Sequence, residues 1–177
     1  IPIIQDILKT FHIPSLSAVG FEADDIIGTL ATSAEKKNFE TLIVTGDLDS
    51  LQLVNPHTKV VFLQKGISET KIYDEKTVQE RYSLSPEQMI DYKALRGDPS
   101  DNIPGVRGIG EKTASELLKE FQTLEKLYTY VETDKALKEK RIRERIVLIL
   151  REHKKDAFLS KLLATIKTDV KIGFSFK

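Results

Sequence analysis

The sequence predicts an α/β fold: a partial parallel sheet layered with helices over the first half, then a helical second half. Three observations point to it. Helix-spaced apolar residues and short β-branched runs alternate up to about residue 75, as in an α/β layer. Beyond residue 75 the apolar spacing becomes mostly helical. The charge also reverses along the chain. Residues 1–92 carry 8 Lys+Arg against 14 Asp+Glu, net −6, and residues 93–177 carry 19 against 13, net +6. These changes divide the chain into an α/β part, 1–92, and a helical part, 93–177.

Pro2 suits a first helical position, and Ile3, Ile4, Ile7, Leu8 and Phe11 follow at helical spacing. His12-Ile13-Pro14 ends that helix. Leu16–Val19 reads as a short strand before Gly20. A second helix starts near Ala23, with Ile26, Ile27, Leu30, Ala31 and Ala34 inward. Thr41-Leu42-Ile43-Val44-Thr45 is a continuous β-branched run, the pattern of a buried parallel strand. Lys59–Leu63 and Thr70–Tyr73 follow as strands. Glu75–Tyr82 and Pro86–Leu95 read as helices, the latter with Ser85 as N-cap and Gly97 as C′ residue. Then come helices over Lys112–Phe121, Leu124–Val131, Asp134–His153 and Asp156–Ala164, and a short strand near Val170–Phe174. The basic run Lys135–Arg145 reads as a solvated helix face.

The composition excludes several classes. With no Cys there is no disulfide framework and no thiolate metal site. No apolar run reaches the ~18 residues of a membrane span. No signal peptide is visible, which makes the cytoplasm the default compartment. His12, His57 and His153 lack ligand spacing and read as ordinary residues. The chain begins at Ile1 without an initiator Met, as a fragment or processed chain would.

Seven acids form three clusters: Glu22, Asp24 and Asp25; Asp47 and Asp49; Asp98 and Asp101. The first cluster also suits a helix N-terminus, where acids stabilise the exposed N–H groups. Asp47-Leu48-Asp49 follows a strand, where ligand sites in open α/β sheets gather. Asp98 and Asp101 flank Pro99 and also suit a plain turn. Carboxylates converging on one point repel unless a cation holds them. Oxygen-only ligation suits Mg²⁺ or Mn²⁺ better than Zn²⁺, and such ions, in pairs, serve phosphoryl chemistry.

Gly105-Val106-Arg107-Gly108-Ile109-Gly110 joins two helices and ends at a helix start. There, free backbone N–H groups bind phosphate oxygens without reading sequence. Lys112 and Thr113 add a charge and a hydroxyl. The glycine spacing is not that of a Walker loop, and the bland alternative is a simple helix connector.

Taken together, Gly20-Phe21-Glu22-Ala23-Asp24-Asp25, Thr45-Gly46-Asp47-Leu48-Asp49, Gly97-Asp98-Pro99-Ser100-Asp101-Asn102 and the hairpin resemble the flap-endonuclease-like nucleases, specifically the 5′→3′ exonuclease domains of bacterial DNA polymerase I. The resemblance runs from about Ile3 to Lys177. It implies a Rossmann-like or PIN-like nuclease layer followed by a helix–hairpin–helix (H3TH) subdomain. It implies hydrolysis of phosphodiesters at DNA 5′ ends and flap junctions, with Glu22, Asp24, Asp25, Asp47, Asp49, Asp98 and Asp101 as ligands of two metal ions. Among these, Asp24, Asp47 and Asp98 would be catalytic. Gly105, Arg107, Gly108, Ile109, Gly110, Lys112 and Thr113 would hold duplex, flap or nicked DNA, with K⁺ bound at the hairpin.

The implied partners are DNA and the polymerase portion of the same parent chain, with a monomer expected. Leu48 departs from the family, which commonly has a basic residue there. The family's N-terminal section, with two further aspartates and a basic helical arch, is also missing, so poor cleavage by residues 1–177 is expected. Two other readings remain: a non-catalytic DNA-binding module, and a sugar transferase using Asp47-Leu48-Asp49.

Overall fold

The computed structural model describes residues 2–65 and 68–176. The chain termini Ile1 and Lys177, on which the fragment expectation rests, lie outside them. The chain forms two compact units. One holds the described residues up to Thr41 together with those from Ile166 onward. The other holds Leu42–Thr165.

The first unit contains α1 (Pro2–Thr10) and α2 (Ala23–Glu35). The spacing of Ile3, Ile4 and Ile7 does form a helix, but these residues and Phe11 stay exposed. Leu16–Val19 forms no strand. α2 buries Ile26, Gly28, Thr29, Ala31 and Ala34. The expected strand at Val170–Phe174 is absent too. That segment is instead tied to α2 and the residues after it. Lys167 N–H donates to Asp25 Oδ1 at 2.8 Å, Val170 N–H donates to Thr29 Oγ1 at 3.1 Å, and the Phe39 and Phe176 rings stack at 5.5 Å. The Val170 N–H thus pairs with a side chain of α2 rather than with a neighbouring strand.

The sheet has strand order β1 (Thr41–Thr45), β2 (Thr58–Lys65), β3 (Glu69–Tyr73), with β2 and β3 antiparallel. Ile43 is buried, whereas Leu42 and Val44 are 64% and 63% exposed. A strand is buried on both faces only where both are covered, and β1 is covered on one.

Helices α3 (Glu75–Tyr82), α4 (Met89–Arg96), α5 (Glu111–Phe121), α6 (Leu124–Val131), α7 (Lys135–Lys138), α8 (Glu144–Glu152) and α9 (Lys154–Ala164) complete the second unit. Their core includes Leu95, Val106, Leu118, Leu127 and Leu150. Buried Asp91 joins three helices: it accepts from Leu124 N–H at 2.8 Å and pairs with Lys161 at 2.7 Å. Ser85 caps a 3₁₀ turn, Pro86–Gln88, which leads into α4.

The expected helix over Asp134–His153 is broken between α7 and α8, where Lys140 takes a left-handed φ of 53°. Lys138, Arg141 and Arg145, at i, i+3 and i+7, would repel on one helix face. Leaving the helix lets Arg141 donate to Glu120 at 2.8 Å and lie over the Phe121 and Tyr130 rings, while Ile142 enters the core. Among the described residues, no helix is long and apolar enough to cross a membrane.

Candidate metal centre

Asp47 and Asp49 lie at the start of a 3₁₀ helix, Leu48–Leu53, just after β1. Asp47 Oδ1 accepts from Asp49 N–H at 2.9 Å, and Asp47 N–H donates to Thr45 Oγ1 at 3.0 Å. This capping holds the Asp47 carboxylate and the backbone from which Asp49 projects.

Asp98 and Asp101 share a tight turn that follows α4. The turn is closed by reciprocal backbone bonds between Asp98 and Ile103, both 2.9 Å. Asn102 takes the left-handed φ of 55° that the closure requires. Asp98 Oδ1 accepts from the Ser100 N–H at 3.0 Å and from its hydroxyl at 2.5 Å. The Ser100 bonds hold the Asp98 carboxyl below the usual carboxylate range, against a smaller opposing effect of burial and with help from Lys93.

The fold brings these two segments together. One carboxylate oxygen from each of Asp49, Asp98 and Asp101 lies within 4.8 Å of the others. Lys93 of α4 sits among them. Its ammonium pairs with Asp49, with Asp101 at 2.7 Å and with Asp98 at 3.3 Å. Lys93 is only 7% exposed. Burial alone would pull its pKa down. The hydrogen bonds to Asp101 and Asp49 and their charges outweigh burial and hold it above the ordinary lysine value. Burial, the largest influence, pushes the Asp49 carboxyl up; Lys93 opposes it, and Asp47 and Asp101 add to the rise, which leaves the group raised.

Lys93 is the residue that the sequence reading missed. Its signal was a basic residue within the run Tyr92-Lys93-Ala94-Leu95, whose neighbours are all buried. A charge in such a run needs a partner nearby.

Asp47, Asp49, Lys93 and Asp98 line a cleft of about 600 Å³ that also includes Arg81, Arg96 and Lys112. The carboxylates and the first turn of α5 therefore face the same space. Glu22, Asp24 and Asp25 belong to the first unit. There, Glu22 caps α2 and Asp25 Oδ2 accepts the Glu22 N–H at 3.1 Å, completing a capping box.

The hairpin glycines divide by role. Gly97 (φ 77°) and Gly105 (φ 62°) pack backbone to backbone, and a Cβ on Gly105 would lie 2.3 Å from Gly97 N. The buried Gly105 N–H donates to Ser160 Oγ at 2.9 Å, which commits this residue to packing against α9. Ile109 is also in the core, and its N–H donates to Val106 O at 2.9 Å. Arg107, Gly108, Gly110 and Lys112 are exposed, and Thr113 is half-buried. Gly110 is the N-cap of α5 and supplies no side-chain cap, so the first-turn N–H groups of this 11-residue helix face outward. All-oxygen donors around one point suit a hard divalent cation, and the open helix start suits an anionic oxygen.

Two protein-family profiles together match the whole chain: "5′-3′ exonuclease, N-terminal resolvase-like domain" over residues 1–83 and "5′-3′ exonuclease, C-terminal SAM fold" over residues 84–177. The chain is 47% identical over 176 residues to DNA polymerase I of Bacillus subtilis and 43% identical over 174 residues to that of Bacillus caldotenax. Each match covers 98% of this chain and 19% of the relative, so the chain spans about a fifth of their length. Among solved structures, the 5′-exonuclease of bacteriophage T5 with bound divalent zinc superposes with a TM-score of 0.78 at 20% identity. That match covers 94% of this chain and 59% of the other, and at this identity it bears on the fold.

Proposed function

The chain belongs to the 5′-3′ exonuclease family, and from that premise we propose that it hydrolyses phosphodiesters in DNA at 5′ ends and flap or nick junctions. The observation that carries this reading is the shared cleft. Carboxylates Asp47, Asp49 and Asp98 face the same space as Lys112 of the hairpin helix, and Arg81 and Arg96 line it too.

Asp49, Asp98 and Asp101 would hold a divalent cation, Mg²⁺ or Mn²⁺; their donor set is all oxygen and already surrounds a cationic group. When bound, such an ion polarises a phosphate oxygen and acidifies a water molecule. Asp47 faces the same cleft, while Glu22, Asp24 and Asp25 remain proposed ligands through the family resemblance. The chain's own contribution is positional. Ser100 orients the Asp98 carboxylate, and the Asp47 cap holds the backbone from which Asp49 projects. Gly108, Gly110, Lys112 and Thr113, with Arg107 beside them, grip the DNA backbone through phosphates, independently of sequence. K⁺ at the hairpin, attachment to a polymerase portion, a monomeric state and action in the cytoplasm belong to the same proposal.

The test is a 5′-labelled flap duplex incubated with the chain and Mg²⁺. We expect slow cleavage that EDTA and Asp98→Asn each abolish, with DNA affinity in Ca²⁺ retained by Asp98→Asn. Cleavage that survives Asp98→Asn and Asp101→Asn together would remove these carboxylates from the chemistry. The Lys93 ammonium among the carboxylates favours one second reading, a non-catalytic DNA-binding module. That reading requires salt-sensitive DNA binding that ignores EDTA, and no cleavage at all.

A further inference from the structure

We infer that Lys93 is an internal competitor for the carboxylate centre: its ammonium and a divalent cation occupy the same place, and metal entry requires Lys93 to leave. The inference rests on the reading that Asp49, Asp98 and Asp101 take a metal ion. It adds a positioning residue that opposes loading.

The geometry carries the argument. The ammonium pairs with all three carboxylates at once, reaching Asp101 at 2.7 Å and Asp98 at 3.3 Å. The three ligand oxygens lie within 4.8 Å of each other, so they enclose room for one cation. A divalent ion bound by the same oxygens would sit within a few ångströms of Nζ, where like charges repel strongly in a partly desolvated site. Lys93 is held in place from behind, because Tyr92, Ala94 and Leu95 on either side of it are buried in the helical core. Its long side chain nevertheless lies beside the open cleft lined by Tyr92, Arg96 and Asp98, which gives the displaced ammonium a path to water.

Two physical consequences follow. Without metal, Lys93 stabilises three carboxylates that would otherwise repel, so the site keeps its shape while empty of metal. With metal, part of the binding energy is consumed in breaking the Lys93 pairs, so affinity is lower than the donor set alone would give. The chain would then load metal only at concentrations that overcome Lys93.

The experiment measures Mn²⁺ binding to the 177-residue chain by electron paramagnetic resonance, for the wild type, Lys93→Met and Lys93→Arg. Lys93→Met keeps the length and apolar stem of the side chain while removing its charge. We expect it to bind Mn²⁺ roughly tenfold or more tightly than wild type, with Lys93→Arg no tighter than wild type. Adding Asp101→Asn to Lys93→Met should cancel the gain. Equal or weaker Mn²⁺ binding by Lys93→Met would overturn the competition while leaving the metal centre standing. No Mn²⁺ binding by either protein would overturn both. A second readout needs no variant. The wild-type Lys93 ammonium should give a slowly exchanging ¹⁵Nζ resonance without added metal, and Mg²⁺ should shift it and speed its exchange. A resonance indifferent to saturating Mg²⁺ would overturn the displacement.

Discussion

Replacing Gly105 by Ala tests whether the hairpin is held by backbone-to-backbone packing. The residue adopts φ 62°, a left-handed conformation that costs a non-glycine residue about 1–2 kcal/mol. A Cβ there would lie 2.3 Å from Gly97 N, 2.5 Å from Gly97 Cα and 2.7 Å from Arg96 C. All three are backbone atoms, so no side-chain rotation relieves the overlap and the hairpin must move away from the end of α4. That movement threatens the Val106 N–H bond to Leu95 O and the Gly105 N–H bond to Ser160 Oγ, both 2.9 Å. Each such bond contributes about 1 kcal/mol net. The expected loss is about 3–4 kcal/mol. At about 2–4 °C per kcal/mol for a chain of this size, the melting midpoint should drop by roughly 10 °C. Gly110→Ala is the control, because a Cβ at Gly110 meets nothing within 4 Å and its φ of −96° is ordinary. Circular dichroism melts of the two variants decide the matter. A drop of less than about 3 °C for Gly105→Ala, or an equal drop for Gly110→Ala, would refute the packing argument.

Gly108 has φ 96° and its Cβ position faces Ile149 at 3.3 Å. Gly108→Val should strain the exposed side of the hairpin and weaken binding to unrelated duplex sequences by one common factor in fluorescence anisotropy; sequence-dependent losses would contradict a phosphate grip. Asp91→Ala removes the acceptor of Leu124 N–H and leaves Lys161 paired with Glu125 alone of its two carboxylates. It should cost about 2–3 kcal/mol in denaturant unfolding, and Asp91→Ala with Lys161→Met together should cost less than the sum of the singles. Burial raises the Tyr92 phenol to about 12, with Glu111 adding to the rise. Its folded pKa exceeds the unfolded value of 10, so the folded state retains the proton longer. Stability from this group is full below pH 10 and declines as pH rises from there toward 12. Tyr92→Phe should flatten that decline in melts across the range, and an unchanged slope would count against it.

How much was legible in the sequence varies with range. Helices α3 and α6 were read at their observed bounds, and α5 and α9 within two residues, because apolar spacing and capping residues are local. Asp98 and Asp101 could be singled out because they sit in one turn with Pro99. The strands expected at Leu16–Val19 and Val170–Phe174 failed for the opposite reason. A strand needs a partner, and the second segment finds side chains of α2 instead. The helix expected through Asp134–His153 failed because Arg141 gains more from Glu120 and two aromatic rings than from continuing it.

The sequence by itself determined the family, most of the helices and the residue types able to bind a cation and a phosphate. Tertiary structure decided which of those groups meet. Asp49 and Lys93 are 44 residues apart, and Gly105 and Ser160 are 55 apart. Such pairs carry no local periodicity, since their contact depends on where whole helices pack. The charge at the centre could therefore be read only from the fold: three carboxylates known from the sequence, and one ammonium that packing places among them.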